Sequence, residues 1–149
     1  MEKLTIMVNN VINVSAYTGQ PPDQAGDERI YIDNGPLYPV DDVRQLLDAG
    51  DDKTTLWTRK CIQDVTGLGY EIADVRQLLQ QAITEGHYLN SEWCVQRPTG
   101  PWAACDGYRL QRNEWVDTAR KEMRFEYYVK FAIGKTGQIL LLVSCHMSQ

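Results

Sequence analysis

The sequence predicts an α+β protein with three helices in its first half and an antiparallel meander of about four strands in its second. Three observations carry this. Apolar residues recur at helical spacing in three segments between residues 40 and 85, and after Gly86 the period moves toward two. The hexapeptide DVRQLL occurs at residues 42–47 and again at 74–79 without a third copy, so it marks two amphipathic helices rather than a stacked helical array. At 149 residues the chain has the size of one domain with a sizeable core. Composition divides it into an N-terminal extension, residues 1–36, and an α+β domain, residues 37–149.

In the extension, KLTIMVNNVINV and ERIYIDNG are rich in β-branched residues and read as two short strands, separated by the loop TGQPPDQAGD. The first helix lies in PVDDVRQLLDAG. Val40, Val43, Leu46 and Leu47 share a face, Pro39 stands near the start, Asp41 and Asp42 occupy the first turn, and Gly50 ends it. TTLWTRKCIQDVTGLG gives a second helix with Thr55 or Thr58 as N-cap, a stripe of Leu56, Cys61, Ile62 and Val65, and Gly67 or Gly69 as the stop. The third, in YEIADVRQLLQQAITEG, places Ile72, Val75, Leu78, Leu79, Ala82 and Ile83 on one stripe. Within the two hexapeptides, Val43, Leu46, Leu47, Val75, Leu78 and Leu79 are expected inside, and Arg44, Gln45, Arg76 and Gln77 outside.

The strands follow. HYLNSEWCV is the first, RPTGPW a turn, and AACDGYRLQ the second, weakened by Gly107. MRFEYYVKFAI alternates Phe125, Tyr127, Val129 and Phe131 with Arg124, Glu126, Tyr128 and Lys130. GKTGQ is a hairpin turn, and ILLLVSC is a run apolar enough to be covered on both faces.

The net charge of −5 argues against non-specific coating of nucleic acid, but it is unevenly distributed. Residues 1–96 carry seven Lys and Arg against fifteen Asp and Glu, whereas residues 97–149 carry eight against five. A polyanionic partner therefore belongs on the C-terminal third. Cys61, Cys94, Cys105 and Cys145 are scattered without a CxxC pair, which gives no support to a zinc site and reads as small core residues. With no signal-peptide pattern and no apolar run approaching the roughly 18 residues of a membrane span, a cytoplasmic protein without a membrane partner is expected.

In order and spacing, YPVDDVRQLLDAG, TRKCIQDVTGLGYEIADVRQLLQQAITEGHYLNSEW, W..CDGYRL, EYYVKFAI and QILLLVSCHM resemble the MqsR family of toxins from bacterial toxin–antitoxin pairs, over residues 38 to about 147. The resemblance implies a RelE-like fold, with the helices on one face of a curved antiparallel sheet. It also implies metal-independent and cofactor-independent cleavage of mRNA, growth arrest, and neutralisation by a cognate antitoxin.

Cleaving RNA without a metal requires a group to take the 2′-OH proton, a group to protonate the leaving 5′-oxygen, and stabilisation of the charged phosphorane. The family pattern supplies a Lys, a Gln, a Tyr and a Lys at positions that read Leu89, Cys105, Tyr128 and His146 here, so three of the four differ. His146 with Tyr128 forms the candidate acid–base pair, since an imidazole near pKa 6.5 suits proton transfer at neutral pH. Arg109, Arg124 and Lys130 are the candidate RNA-binding cations. Each has a plainer reading: His146 as a solvated terminal residue, Arg109 as a partner of Asp106, and Trp93, Trp102 and Trp115 as core rather than base-stacking residues. Two functions follow, a substituted endoribonuclease toxin or a catalytically degenerate scaffold that binds protein or nucleic acid. A free-standing DNA-binding regulator fits less well, because the helical half is the acidic half.

Overall fold

The computed structural model describes residues 11–23, 26 and 28–148. In chain order these form β1 (Tyr31–Ile32), α1 (Val40–Asp48), a 3-10 turn (Asp51–Lys53), β2 (Thr54–Leu56), α2 (Arg59–Leu68), α3 (Ile72–Glu85), β3 (His87–Val95), β4 (Trp102–Val116), β5 (Lys121–Ile133) and β6 (Leu140–Ser148). The strands make a single sheet in the order β1-β3-β4-β5-β6-β2.

The four-stranded antiparallel sheet predicted from the sequence, and with it the RelE-like architecture, is corrected by this topology. The run β3 to β6 is an antiparallel meander, but β1 adds antiparallel to β3 and β2 adds parallel to β6, so the sheet has six strands and is mixed. The cause lies in non-local pairing. The TTL of β2 is too short to show a period of two and reads as part of the second helix, with Leu56 on its stripe, yet Thr54 to Leu56 form a strand in register with Leu140 to Leu142 and the helix begins only at Arg59.

Capping explains the helix limits. Thr58, rather than Thr55, is the N-cap of α2: its hydroxyl accepts from the Cys61 N–H at 3.0 Å and donates to the Val143 carbonyl at 2.8 Å, tying the helix start to β6. Gly69, rather than Gly67, ends α2 with φ 73°, the left-handed conformation that glycine adopts without strain. The α3 start is closed by reciprocal bonds between Glu71 and Asp74.

Val43, Leu47, Val75, Leu78 and Leu79 are buried as the repeated hexapeptide predicts, while Leu46 is half-buried. The hexapeptide arginines are less outward than expected. Arg76 donates through Nε and Nη2 to the Leu47 carbonyl at 2.9 and 2.6 Å and pairs with Asp51, capping the C-terminal end of α1; Arg44 reaches Thr84 of α3 at 3.1 Å. Each copy of the motif thus buries one face and bonds its arginine to the other helix or its exit.

Phe125, Tyr127, Val129 and Phe131 join the helices in the main core, and β6 is apolar throughout Leu140 to Val143, all buried. A smaller cluster of Trp93, Trp102 and Ala104 is packed against Val11, Tyr17, Ile32 and Leu37. The amino-terminal segment is bonded into the sheet: Val14 N–H to Trp102 O at 2.8 Å, Ala16 N–H to Ile133 O at 2.8 Å. Of the two strands expected in the extension, the second is β1; residues 3–10 of the first lie outside the described residues. No helix among the described residues is long and apolar enough to cross a membrane.

Candidate functional site

Asp106, Tyr108 and Leu110 alternate inward along β4, which leaves Gly107, Arg109 and Gln111 on the opposite face, beside Lys130, Tyr128 and Glu126 of β5. On β6, His146 stands directly beside Tyr128 and Ser144 beside Lys130. The five residues that the sequence singles out, Tyr128, His146, Arg109, Arg124 and Lys130, therefore share one face of three adjacent strands.

A cleft of about 270 Å³ opens on this face, lined among others by Asn90, Glu92, Tyr128, Lys130, Ser144 and His146. Tyr128 and His146 stack with ring centroids 5.3 Å apart and planes inclined by 22°. The Tyr128 hydroxyl donates to Glu126 Oε1 at 2.5 Å, and this bond to a carboxylate is the main reason the phenol is held above its ordinary pKa. Glu126 is lowered, first by that bond, next by the one it accepts from Gln111 Nε2 at 2.9 Å, and further by Arg109 and Arg124. His146 is exposed at its strand position, and the covering of part of its ring lowers its pKa below the ordinary value, with Lys60 adding to the effect.

Arg109 and Lys130 lie beside carboxylates, and Arg124 is bonded to an amide. Arg109 Nε lies 3.8 Å from Glu126 Oε2 without a hydrogen bond, and Asp106, its sequence-suggested partner, points to the other side of the sheet. There Asp106 accepts from the Leu37 and Tyr38 N–H groups and from the Ser91 hydroxyl. Arg124 donates to Gln111 Oε1 at 2.6 Å, two residues further along β5 and outside the cleft. Lys130 Nζ sits 2.9 Å from Glu92, a carboxylate only 7 % exposed that Arg29 approaches from outside at 3.6 Å.

Two of the positions that differ from the family pattern supply no donor to the cleft. Leu89 lies at an irregularity of β3 and is exposed; Cys105 is fully buried, donates to the Ala103 carbonyl, and has its thiol pKa pushed well up by burial. Trp93 and Trp102 are core residues, whereas Trp115 is 62 % exposed. Cys61 and Cys145 are core as well, their thiols pushed up by burial to about 12 and about 11, and Cys94 is half-buried.

Glu92, Glu126 and Arg29 belong to the site without having been singled out from sequence. Glu126 was legible, since it alternates in phase with Tyr128 and Lys130. Glu92 and Arg29 were not, because their roles depend on β3 pairing with β4 and on the segment before β1 crossing the cleft. Comparisons of the chain with family models, with curated proteins and with solved structures return no match.

Proposed function

We propose that this face binds single-stranded RNA and cleaves it without a metal ion, as a toxin-like endoribonuclease of the kind the MqsR resemblance implies. The observation that carries the proposal is the imidazole of His146, stacked on Tyr128 at the mouth of a cleft edged by Lys130 and Arg29. His146 takes the 2′-OH proton as the 2′-oxygen attacks phosphorus. The bond to the 5′-oxygen breaks, leaving a 2′,3′-cyclic phosphate and a 5′-hydroxyl that gains a proton. Tyr128 keeps its proton at neutral pH and positions the imidazole by stacking, and in this reading it protonates the leaving 5′-oxygen, giving up its bond to Glu126 and regaining the proton from solvent. Lys130 and Arg109 offset charge on the phosphorane. The same reading brings with it a cognate antitoxin that covers the cleft.

A second reading is favoured by one specific feature: Lys130 is already paired with Glu92, and the Tyr128 hydroxyl with Glu126. A scaffold so neutralised would bind without cutting. Incubation of the purified protein with RNA in EDTA separates the two. Cleavage that is lost in His146→Ala and Tyr128→Phe supports the ribonuclease; intact RNA at every protein concentration leaves only binding.

A further inference from the structure

Trp115 is the most exposed large apolar residue among those described, and nothing in the core requires it there. Its position is set by β4. Counting along the strand from Arg109, residues 111, 113 and 115 fall on the cleft face, while Glu114 turns to the other side to meet Arg112 and the Tyr127 hydroxyl. The indole is also fixed in direction, because its Nε1–H donates to Asp117 Oδ1 at 2.8 Å.

Between Trp115 and the cleft runs a bonded row. Arg124, cross-strand partner of Asn113, donates to Gln111; Gln111 donates to Glu126; Glu126 accepts from Tyr128, which stacks on His146. The hairpin end adds Arg120 and Lys121, both exposed. Arg124 lies diagonal to the Trp115 ring on this face, and the ring has the carboxylates of Glu122, its cross-strand neighbour, and Asp117 beside it. An aromatic platform with a guanidinium close by, on the same face as a cleft with Lys130 and Arg29, is an arrangement that single-stranded nucleic acid uses, with bases on the ring and phosphates on the cations. The six residue steps from Arg109 to Trp115 span about 20 Å of strand, which an extended single strand covers in a few nucleotides.

We propose that Trp115 and Arg124 form a second subsite for single-stranded RNA, Trp115 stacking a base and Arg124 holding a neighbouring phosphate, so that oligonucleotides long enough to reach both ends bind more tightly than short ones. The proposal rests on reading this face as an RNA surface, though not on cleavage. It also assigns part of the affinity of the site, rather than its sequence selectivity, to contacts outside the cleft.

The test uses the intact protein and a 2′-O-methyl oligoribonucleotide of about twelve nucleotides, which lacks the attacking hydroxyl and spans a typical single-strand site. Tryptophan fluorescence should quench saturably with this oligonucleotide and not with a dinucleotide. Trp115→Ala should abolish the quench and weaken binding roughly 5- to 150-fold, the range for losing one base–aromatic stack, while Trp115→Phe retains most of the affinity. An unchanged thermal melt of Trp115→Ala shows that the loss is one of contact. The subsite is overturned if the quench is absent or if Trp115→Ala binds as tightly as the parent. A quench with no cleavage of unmodified RNA overturns the ribonuclease and leaves the subsite standing; cleavage unaffected by Trp115→Ala does the reverse.

Discussion

Asp106 sits in the CDGY element on which the family resemblance partly rests, and its role is to hold the fold together. Its carboxylate is fully buried on the helix side of β4. Oδ1 accepts from Leu37 N–H at 2.9 Å and Ser91 Oγ at 2.6 Å, and Oδ2 accepts from Tyr38 N–H at 3.0 Å. It therefore joins β4 and β3 to the stretch that enters α1. Asp106→Asn keeps the shape and replaces one acceptor oxygen by a donor. In the better orientation the amide oxygen takes the place of Oδ2 and keeps both Leu37 and Tyr38, each 3.0 Å away, while the amide NH₂ donates to the Ser91 hydroxyl, which turns its own proton to Tyr88. The second amide N–H is then the one buried donor left without an acceptor, at about 1–3 kcal/mol.

Removing a buried charge offsets part of that loss, so the net destabilisation is about 1–2 kcal/mol, or roughly 3–8 °C in Tm for a chain of this size. Thermal unfolding followed by far-UV circular dichroism reads it. A Tm within a degree or two of the parent would refute the reasoning.

The same residue sets a pH dependence. Burial, working against the bonds from Leu37, Ser91 and Tyr38, raises the Asp106 pKa above its ordinary 3.8. The folded state therefore holds this proton more tightly than the unfolded chain. The resulting stabilisation is full below the unfolded value and is lost as pH rises through the folded one. In acid, stability of the parent should fall with rising pH across that window relative to Asp106→Asn.

Two further outcomes follow from the capping and the site. Thr58→Ala removes the acceptor for Cys61 N–H and the donor to Val143, and should cost about 1–2 kcal/mol, read by urea unfolding; an unchanged midpoint would contradict the cap. His146 should titrate in an NMR experiment with a midpoint below about 6.5, and the acid limb of RNA cleavage should track that midpoint. With a depressed folded pKa, the contribution of His146 to stability is lost as pH falls from about 6.5 through that midpoint. A midpoint at or above 6.5 would remove the argument for a neutral base.

Much of this fold was legible in sequence wherever the signal is local. The apolar stripes of α1 and α3, the glycine after α2 and the alternation along β5 all arise within a few residues of one another. The stripe expected for α2 holds only at Cys61 and Val65, since Ile62 is exposed and Leu56 belongs to β2. The misses are non-local. Three residues of β2 carry no period and find their partner some eighty residues later, and the two residues of β1 are fixed only by pairing with β3. The site shows the same division. Tyr128, Lys130 and Arg124 could be placed on one face by counting in twos, and Glu126 fell in the same row. That His146 stacks on Tyr128 depends on the β5–β6 register, interrupted by an irregularity between Lys130 and Phe131 that no local pattern announces. Glu92 carries no sign in its sequence neighbourhood that it is buried against a lysine from two strands away.

The central claim is that a neutral His146 and its stacked Tyr128 cut RNA without a metal. It is tested most directly by incubating the purified protein and its His146→Ala variant with single-stranded RNA in excess EDTA and resolving the products. The account predicts fragments ending in 2′,3′-cyclic phosphate from the parent and intact RNA from a variant that melts at the same temperature. Intact RNA from the parent, or equal cleavage by the variant, would contradict it.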